Sequence, residues 1–305
     1  MSEQNDGGRK FAKSDYPALF LAADRASTEA QCKYARLMRS TLVLLVIGAG
    51  LAAASPVFDS AKPAFALASA ICLSLSLAVT TYLKTQKVEQ LWYGGRAVAE
   101  SAKSMTWRYM SGTDPYFVGL PPAEGDRKFV SDLESIIKER KQLAFGFGGE
   151  FAERPQISVP MRAVRSASLE ERRSTYLAER IADQRRWYGD QARVNRAARN
   201  RYLNLIIAGQ FLAVIAAIAL VRWPDAKIKL TGLFTSLATA LIAWLQVRQH
   251  KELAQSYSIA EVELGFIQER AQYVTNDREL SDFVGDAENA ISREHTLWIA
   301  RRDRT

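Results

Sequence analysis

Four stretches of this chain lack a charged residue for about the thickness of a bilayer, and they come in two pairs. They lie at 40–58, 63–83, 202–221 and 230–247. A helix needs about 20 apolar residues to cross a hydrocarbon core of about 30 Å. A helix in a soluble core keeps one polar face. These four keep none, while nearly all the charge lies outside them. The mean hydropathy of −0.15 is no objection, because most of the chain lies outside the runs. The segments are therefore expected to span a membrane.

The pairing gives the topology. Only DSAK separates the first two runs, and RWPDAKIK separates the second two, with Arg222, Asp225, Lys227 and Lys229 interrupting. Such short connections make hairpins. Pro63 and Pro224 mark the turns, where a helix has to stop or start. Trp223 stands where an interfacial anchor belongs. Lys33, Arg36 and Arg39 precede the first span, and Lys84 and Lys87 follow the second. Arg193, Arg196, Arg199 and Arg201 precede the third, and Arg248 and Lys251 follow the fourth. The second turn carries a net +2, but the flanking cations outnumber it. Positive residues stay inside, so both termini and the long middle segment of a multi-pass protein are expected in the cytoplasm. The opening MSEQNDGGRKFAKSDY has no apolar core of the kind a secretory signal carries.

The net charge of +8 calls for a polyanionic partner. The arginines flank the spans, so anionic lipid accounts for them without nucleic acid. The chain has two cysteines, Cys32 and Cys72, and two histidines, His250 and His295. Neither pair supports a disulfide framework or a metal site. There is no GxxxxGK[ST] and no GxGxxG; the FGFGG at 145–149 is too short a phosphate cradle and has no lysine partner. His295 stands beside a glutamate as a surface residue, not a base. No enzyme activity, cofactor or metal is expected.

The two halves repeat an order of parts: basic helix, span, short turn, span, long polar helix. At an offset of 164, Lys84, Lys87, Tyr93 and Tyr109 fall on Arg248, Lys251, Tyr257 and Tyr273. The polar helices carry seams at alternating spacings of four and three. One holds Leu91, Gly95, Val98, Ala102, Met105 and Tyr109. The other holds Leu253, Tyr257, Ala260, Leu264, Ile267, Ala271 and Val274. The seams align at 162 instead, so the register stays open. They pack either within one chain or between subunits. The fold expected is an all-α membrane protein: two helical transmembrane hairpins with long cytoplasmic helices, internally duplicated.

The chain then divides into a disordered 1–14, a first two-span domain at 15–115 and a linker at 116–168 with one short helix. A second two-span domain follows at 169–303. The spans are placed at 41–58 and 64–83, then at 202–221 and 230–247. The arginine- and glutamate-rich run from Glu170 through Arg199 reads as a solvated helix with i,i+4 pairs.

Polar decoration of the spans is what remains for function. Ser69, Cys72, Ser76 and Thr80 share one face of the second span. Thr231, Thr235 and Thr239 share one face of the fourth, with Gln246 further along. Such hydroxyls line a watery path, or they bond back to carbonyls and knit helices together; both readings stand. The first and third spans carry small residues, Gly48 with Ala52 and Gly209 with Ala213 and Ala217, spaced for close helix approach.

Two-span hairpins with LWYGGRAVAESAKSMTWRYM after the first and SREHTLWIARRD closing the chain resemble the SLATT domains of bacteria, here as a tandem. The resemblance implies an effector of prokaryotic conflict or antiphage systems. Such effectors are expected to form pores as homo-oligomers when a partner, a nucleotide-signalling or sensor protein, reports infection. It carries no catalytic residue over. The rival expectation is a non-conducting membrane scaffold that recruits partners through its cytoplasmic seams.

Overall fold

The structure is a computed structural model and describes residues 10–140, 154–226 and 230–302. The chain is 87 % helical, and no strand occurs among the described residues. The FGFGG at 145–149, Lys227 and Lys229 lie outside them, as do the side chains of the closing motif, His295 included. Among the described residues ten α-helices follow one another. They are α1 (Ala18–Ala54), α2 (Lys62–Thr85), α3 (Val88–Ser111), α4 (Pro122–Glu139), α5 (Val159–Ser166), α6 (Leu169–Thr175), α7 (Ala182–Arg222), α8 (Leu230–Arg248), α9 (His250–Arg270) and α10 (Asp277–Arg302). A π-helical turn, Tyr176–Ile181, joins α6 to α7. Pro63 sits in the first turn of α2, where its missing N–H costs nothing.

The chain folds into two compact units. A polar unit takes 1–30, 90–190 and 256–305; an apolar unit takes 31–89 and 191–255. Both units draw on both halves of the sequence.

The structure fixes the register of the repeat. Lys87 and Gln249 adopt positive φ, 48° and 47°. Non-glycine residues enter that region seldom. They end α2 and α8, and they stand 162 positions apart. The helices that follow begin at Val88 and His250, both buried. At the same offset Val98 matches Ala260, Ala102 matches Leu264, and Tyr109 matches Ala271, all buried. The seams carry the true register, and the tyrosine matches at 164 are incidental.

In the polar unit the seams lie inside the core of one chain. Val98, Leu264 and Ile267 are buried, and Leu91, Met105 and Tyr257 pack against them. Each fully buried aliphatic side chain contributes about 1.5–3 kcal/mol. Helices α1 and α3 approach closely at Gly95, where a Cβ would stand 3.2 Å from the Ala23 carbonyl oxygen. Beside it the Ser27 hydroxyl donates to the Trp92 carbonyl at 2.8 Å. Helix α3 ends at Gly112, φ 66°. The Gly112 amide donates to the Tyr109 carbonyl and the Thr113 amide to that of Arg108. This pair of bonds is a Schellman stop.

Segment 116–168, expected as a linker with one short helix, holds two helices among its described residues. Phe129, Leu133 and Ile136 of α4 and Met161 of α5 enter the core. Of the stretch expected to be disordered, residues 10–14 are described. They lead into a 3-10 turn, Lys13–Asp15, and Phe11 packs against the core.

The apolar unit is built the other way round. On α1, Thr41, Gly48 and Ser55 are buried with Leu44 and Leu51 half-buried between them, a stripe of period near 3.5. The opposite faces are open. Leu77 is 68 % exposed, Ile218 65 % and Val221 85 %. Only 11 % of each of the four apolar windows is buried. Water-soluble proteins seldom leave so much continuous apolar surface bare. The bare aliphatic sides are therefore the lipid-facing sides.

Candidate functional site

The polar groups of the spans are the first place to look for function, since a hydroxyl in lipid must be satisfied within the protein. On α2 the stripe turns inward. The Ser69 hydroxyl is buried and donates to the Gly48 carbonyl of α1 at 2.9 Å. Ser76 is buried, and Cys72 is half-buried against Gly48. Thr80 is exposed, but its hydroxyl donates back to the Ser76 carbonyl at 2.9 Å. In this chain, then, Ser69 and Cys72 fasten α2 to α1, and Ser76 is buried beside them on the same helix.

On α8 the stripe turns outward. Thr235 and Thr239 are exposed, as are Gly232 and Gln246 on the same face. A Cβ at Gly232 would meet nothing within 4 Å. The Thr235 hydroxyl donates to the Thr231 carbonyl at 2.7 Å. The Thr231 hydroxyl is buried with no partner among the described residues. The two hydroxyl stripes thus do not meet within one chain.

Of the small residues, Gly48 and Gly209 pack at helix contacts. A Cβ on Gly48 would stand 3.4 Å from Leu73, and one on Gly209 would stand 3.6 Å from Ala238. Ala213 is half-buried, whereas Ala52 and Ala217 are exposed. The reason is geometric. At about 100° per residue, each step of four turns roughly 40° away from the contact line. The half-buried Leu51 and Ala216 follow that line instead. Leu253 is half-buried in the apolar unit.

Sequence reasoning missed a buried charged cluster in the polar unit. Arg180 and Glu288, both 1 % exposed, form a two-point ion pair at 2.8 and 2.7 Å. Tyr176 and Ser104 add hydrogen bonds to the same carboxylate at 2.9 and 2.5 Å. Burial alone would raise the Glu288 carboxyl, but the Arg180 charge and these bonds outweigh it and hold it below the usual range. The π-helical turn inserts an extra residue just where Arg180 must point inward. Arg165 and Arg172 are buried too. Arg165 donates to the Tyr109 carbonyl at 2.8 Å and Arg172 to that of Ser111 at 2.6 Å, at the end of α3. Cations satisfy a helix C-terminus well. The run expected as a solvated helix therefore contributes Arg172 and Arg180 to the interior. The only sequence signal was the excess of arginine. The carboxylates that Arg172 and Arg180 meet, Asp277 and Glu288, lie 105 and 108 positions away.

Among the described residues no cluster of His, Cys, Asp or Glu is arranged to hold a metal. The family model described as SMODS and SLOG-associating 2TM effector domain 3 matches residues 17–173. The model described as SMODS and SLOG-associating 2TM effector domain 1 matches residues 176–298. No curated protein and no solved structure matches the chain. Four membrane-length helices in two hairpins agree with two 2TM domains. The chain belongs to the SLATT family, as a tandem of two of its effector domains.

Proposed function

We propose that the protein is a pore-forming effector of a bacterial conflict or antiphage system. Several copies assemble in the cytoplasmic membrane, with both termini and the polar unit in the cytoplasm. A partner protein or a nucleotide signal opens the assembly. No catalytic step is assigned to it.

One observation carries this reading: the outward polar face of α8. Thr235, Thr239 and Gln246 lie exposed along one side of a span, uncovered by any other helix among the described residues. Facing lipid they would gain nothing. Facing a shared axis they supply a hydroxyl lining, with Thr231 at its end. The Ser69 hydroxyl already holds α2 to α1, with Cys72 packed at the same contact and Ser76 buried, so these three are assigned to assembly of the subunit.

The scaffold reading is favoured by a different feature. Ile259, Val262 and Phe266 of α9 are exposed at 60, 58 and 67 %. They form a stripe on the polar unit, and it would be the recruiting surface, since the seam residues Val98, Leu264 and Ile267 belong to the core. Dye release from liposomes containing the full chain separates the two readings. A pore predicts release that Thr235→Val with Thr239→Val reduces about tenfold. Correct insertion with no release under any activating condition would leave the scaffold.

A further inference from the structure

A cavity of about 530 Å³ opens in the polar unit beside the buried ion pair. Three elements build it. The N-terminal segment and the start of α1 give Phe11, Tyr16, Phe20 and Asp24. One face of α3 gives Arg96, Glu100, Lys103 and Trp107. The π-helical turn and α7 give Glu179, Asp183, Gln184 and Trp187. With Lys10 and Lys13 also on its wall, four cations face four acids, and each acid already has a partner. Asp24 pairs with Lys13 at 2.5 Å and Glu100 with Arg96 at 2.7 Å. Glu179 accepts the Phe11 amide at 2.8 Å, and Asp183 lies 3.5 Å from Arg186. Lys103 is left. Its ammonium has no hydrogen bond or ion pair among the described residues, although the side chain is half-buried. Burial, helped by the nearby Arg180 charge, pushes it down to about 8.

An unpaired cation beneath aromatic walls is costly to keep unless something occupies the space. Trp187 stands at the mouth, 37 % exposed, and Trp107 lies on the floor, 1 % exposed. A ring can stack on the first while an anion reaches Lys103. We infer that this cavity binds a small organic anion carrying a planar ring, with Lys103 holding the anionic group and Trp187 the ring. The site lies wholly in the polar unit. Its occupancy is read independently of any conductance, so failure of the pore proposal leaves it standing, and the reverse holds as well.

Pyridoxal 5′-phosphate is a probe of this class. It joins a planar ring to a phosphate and carries an aldehyde. The neutral Lys103 amine adds to the aldehyde carbon and water leaves, giving an imine. Borohydride then delivers hydride to the imine carbon, and solvent supplies the proton to nitrogen. Full-length protein in detergent is treated at low probe concentration near pH 8, reduced, and mapped by peptide mass spectrometry. Lys103 should be labelled at least tenfold above Lys33, Lys128 and Lys138, which are exposed and lie outside the cavity. Pyridoxal without the phosphate should label it about tenfold less, and so should the full probe on Trp187→Ala, checked for an unchanged helical spectrum. Labelling spread evenly over surface lysines would overturn the inference. So would Lys103 labelling indifferent to the phosphate, which would show a reactive amine and no anion site.

Discussion

The polar and apolar units use one kind of element, a long helix, in two solvents. The polar unit puts aromatic and aliphatic side chains inside and tolerates three buried arginines because each finds carbonyl or carboxylate partners. The apolar unit puts glycine, serine and cysteine at its helix contacts and leaves leucine, isoleucine and valine outside. The difference follows from what drives packing. Water drives apolar groups together. Lipid does not, so close backbone approach and short hydrogen bonds have to hold the spans.

The largest effect expected separates the two chemistries. Glu288→Leu strands the Arg180 charge in the core and should destabilise the polar unit by about 3–5 kcal/mol, read by chemical denaturation. Adding Arg180→Met should restore much of that loss. Next comes Gly209→Leu, which forces α7 and α8 apart and should cost about 1–3 kcal/mol, read by thermal melting in detergent. Both changes break their own unit by removing what its solvent cannot replace.

Lys103→Met should act in the opposite direction. The depressed Lys103 binds fewer protons folded than unfolded between pH 8 and its ordinary value of 10.5. Its cost is therefore fully present below pH 8 and is relieved as pH rises to 10.5. The variant should be more stable than the parent by about 1–2 kcal/mol at pH 7, after allowance for partial exposure, and equal to it above pH 10.5. Such a cost, kept in the natural sequence, fits a residue retained for binding.

The smallest effect tests the two hydroxyl stripes. Ser69→Ala removes the bond to the Gly48 carbonyl and should cost about 0.6 kcal/mol. Thr239→Val changes an exposed side chain with no hydrogen bond among the described residues and should change the stability of the single subunit by less than about 0.5 kcal/mol. Its effect should appear in dye release instead.

The helices and the four spans were legible because hydropathy and charge are local signals, and a run such as 202–221 has one reading. The seams were legible for the same reason, and their spacing carried the repeat register that Lys87 and Gln249 fix. The α2 and α8 stripes show where that legibility stops. Periodicity groups Ser69 with Ser76, and Thr235 with Thr239, on a face; it does not say what covers the face. The ion pair of Arg180 with Glu288 joins positions 108 apart and leaves no local trace. The apolar spacing of Phe129, Leu133 and Ile136 was present in the sequence, but proline and glycine on either side disguised a core helix as a linker.

The account rests on lipid bathing the bare faces of the apolar unit. Nitroxide labels at Leu77→Cys, Ile218→Cys and Ile259→Cys, in protein lacking Cys32 and Cys72 and reconstituted in bilayers, test this directly. Molecular oxygen should relax the labels at 77 and 218 more than a water-soluble nickel chelate does, and the order should reverse at 259. A nickel chelate that reaches all three alike would contradict it.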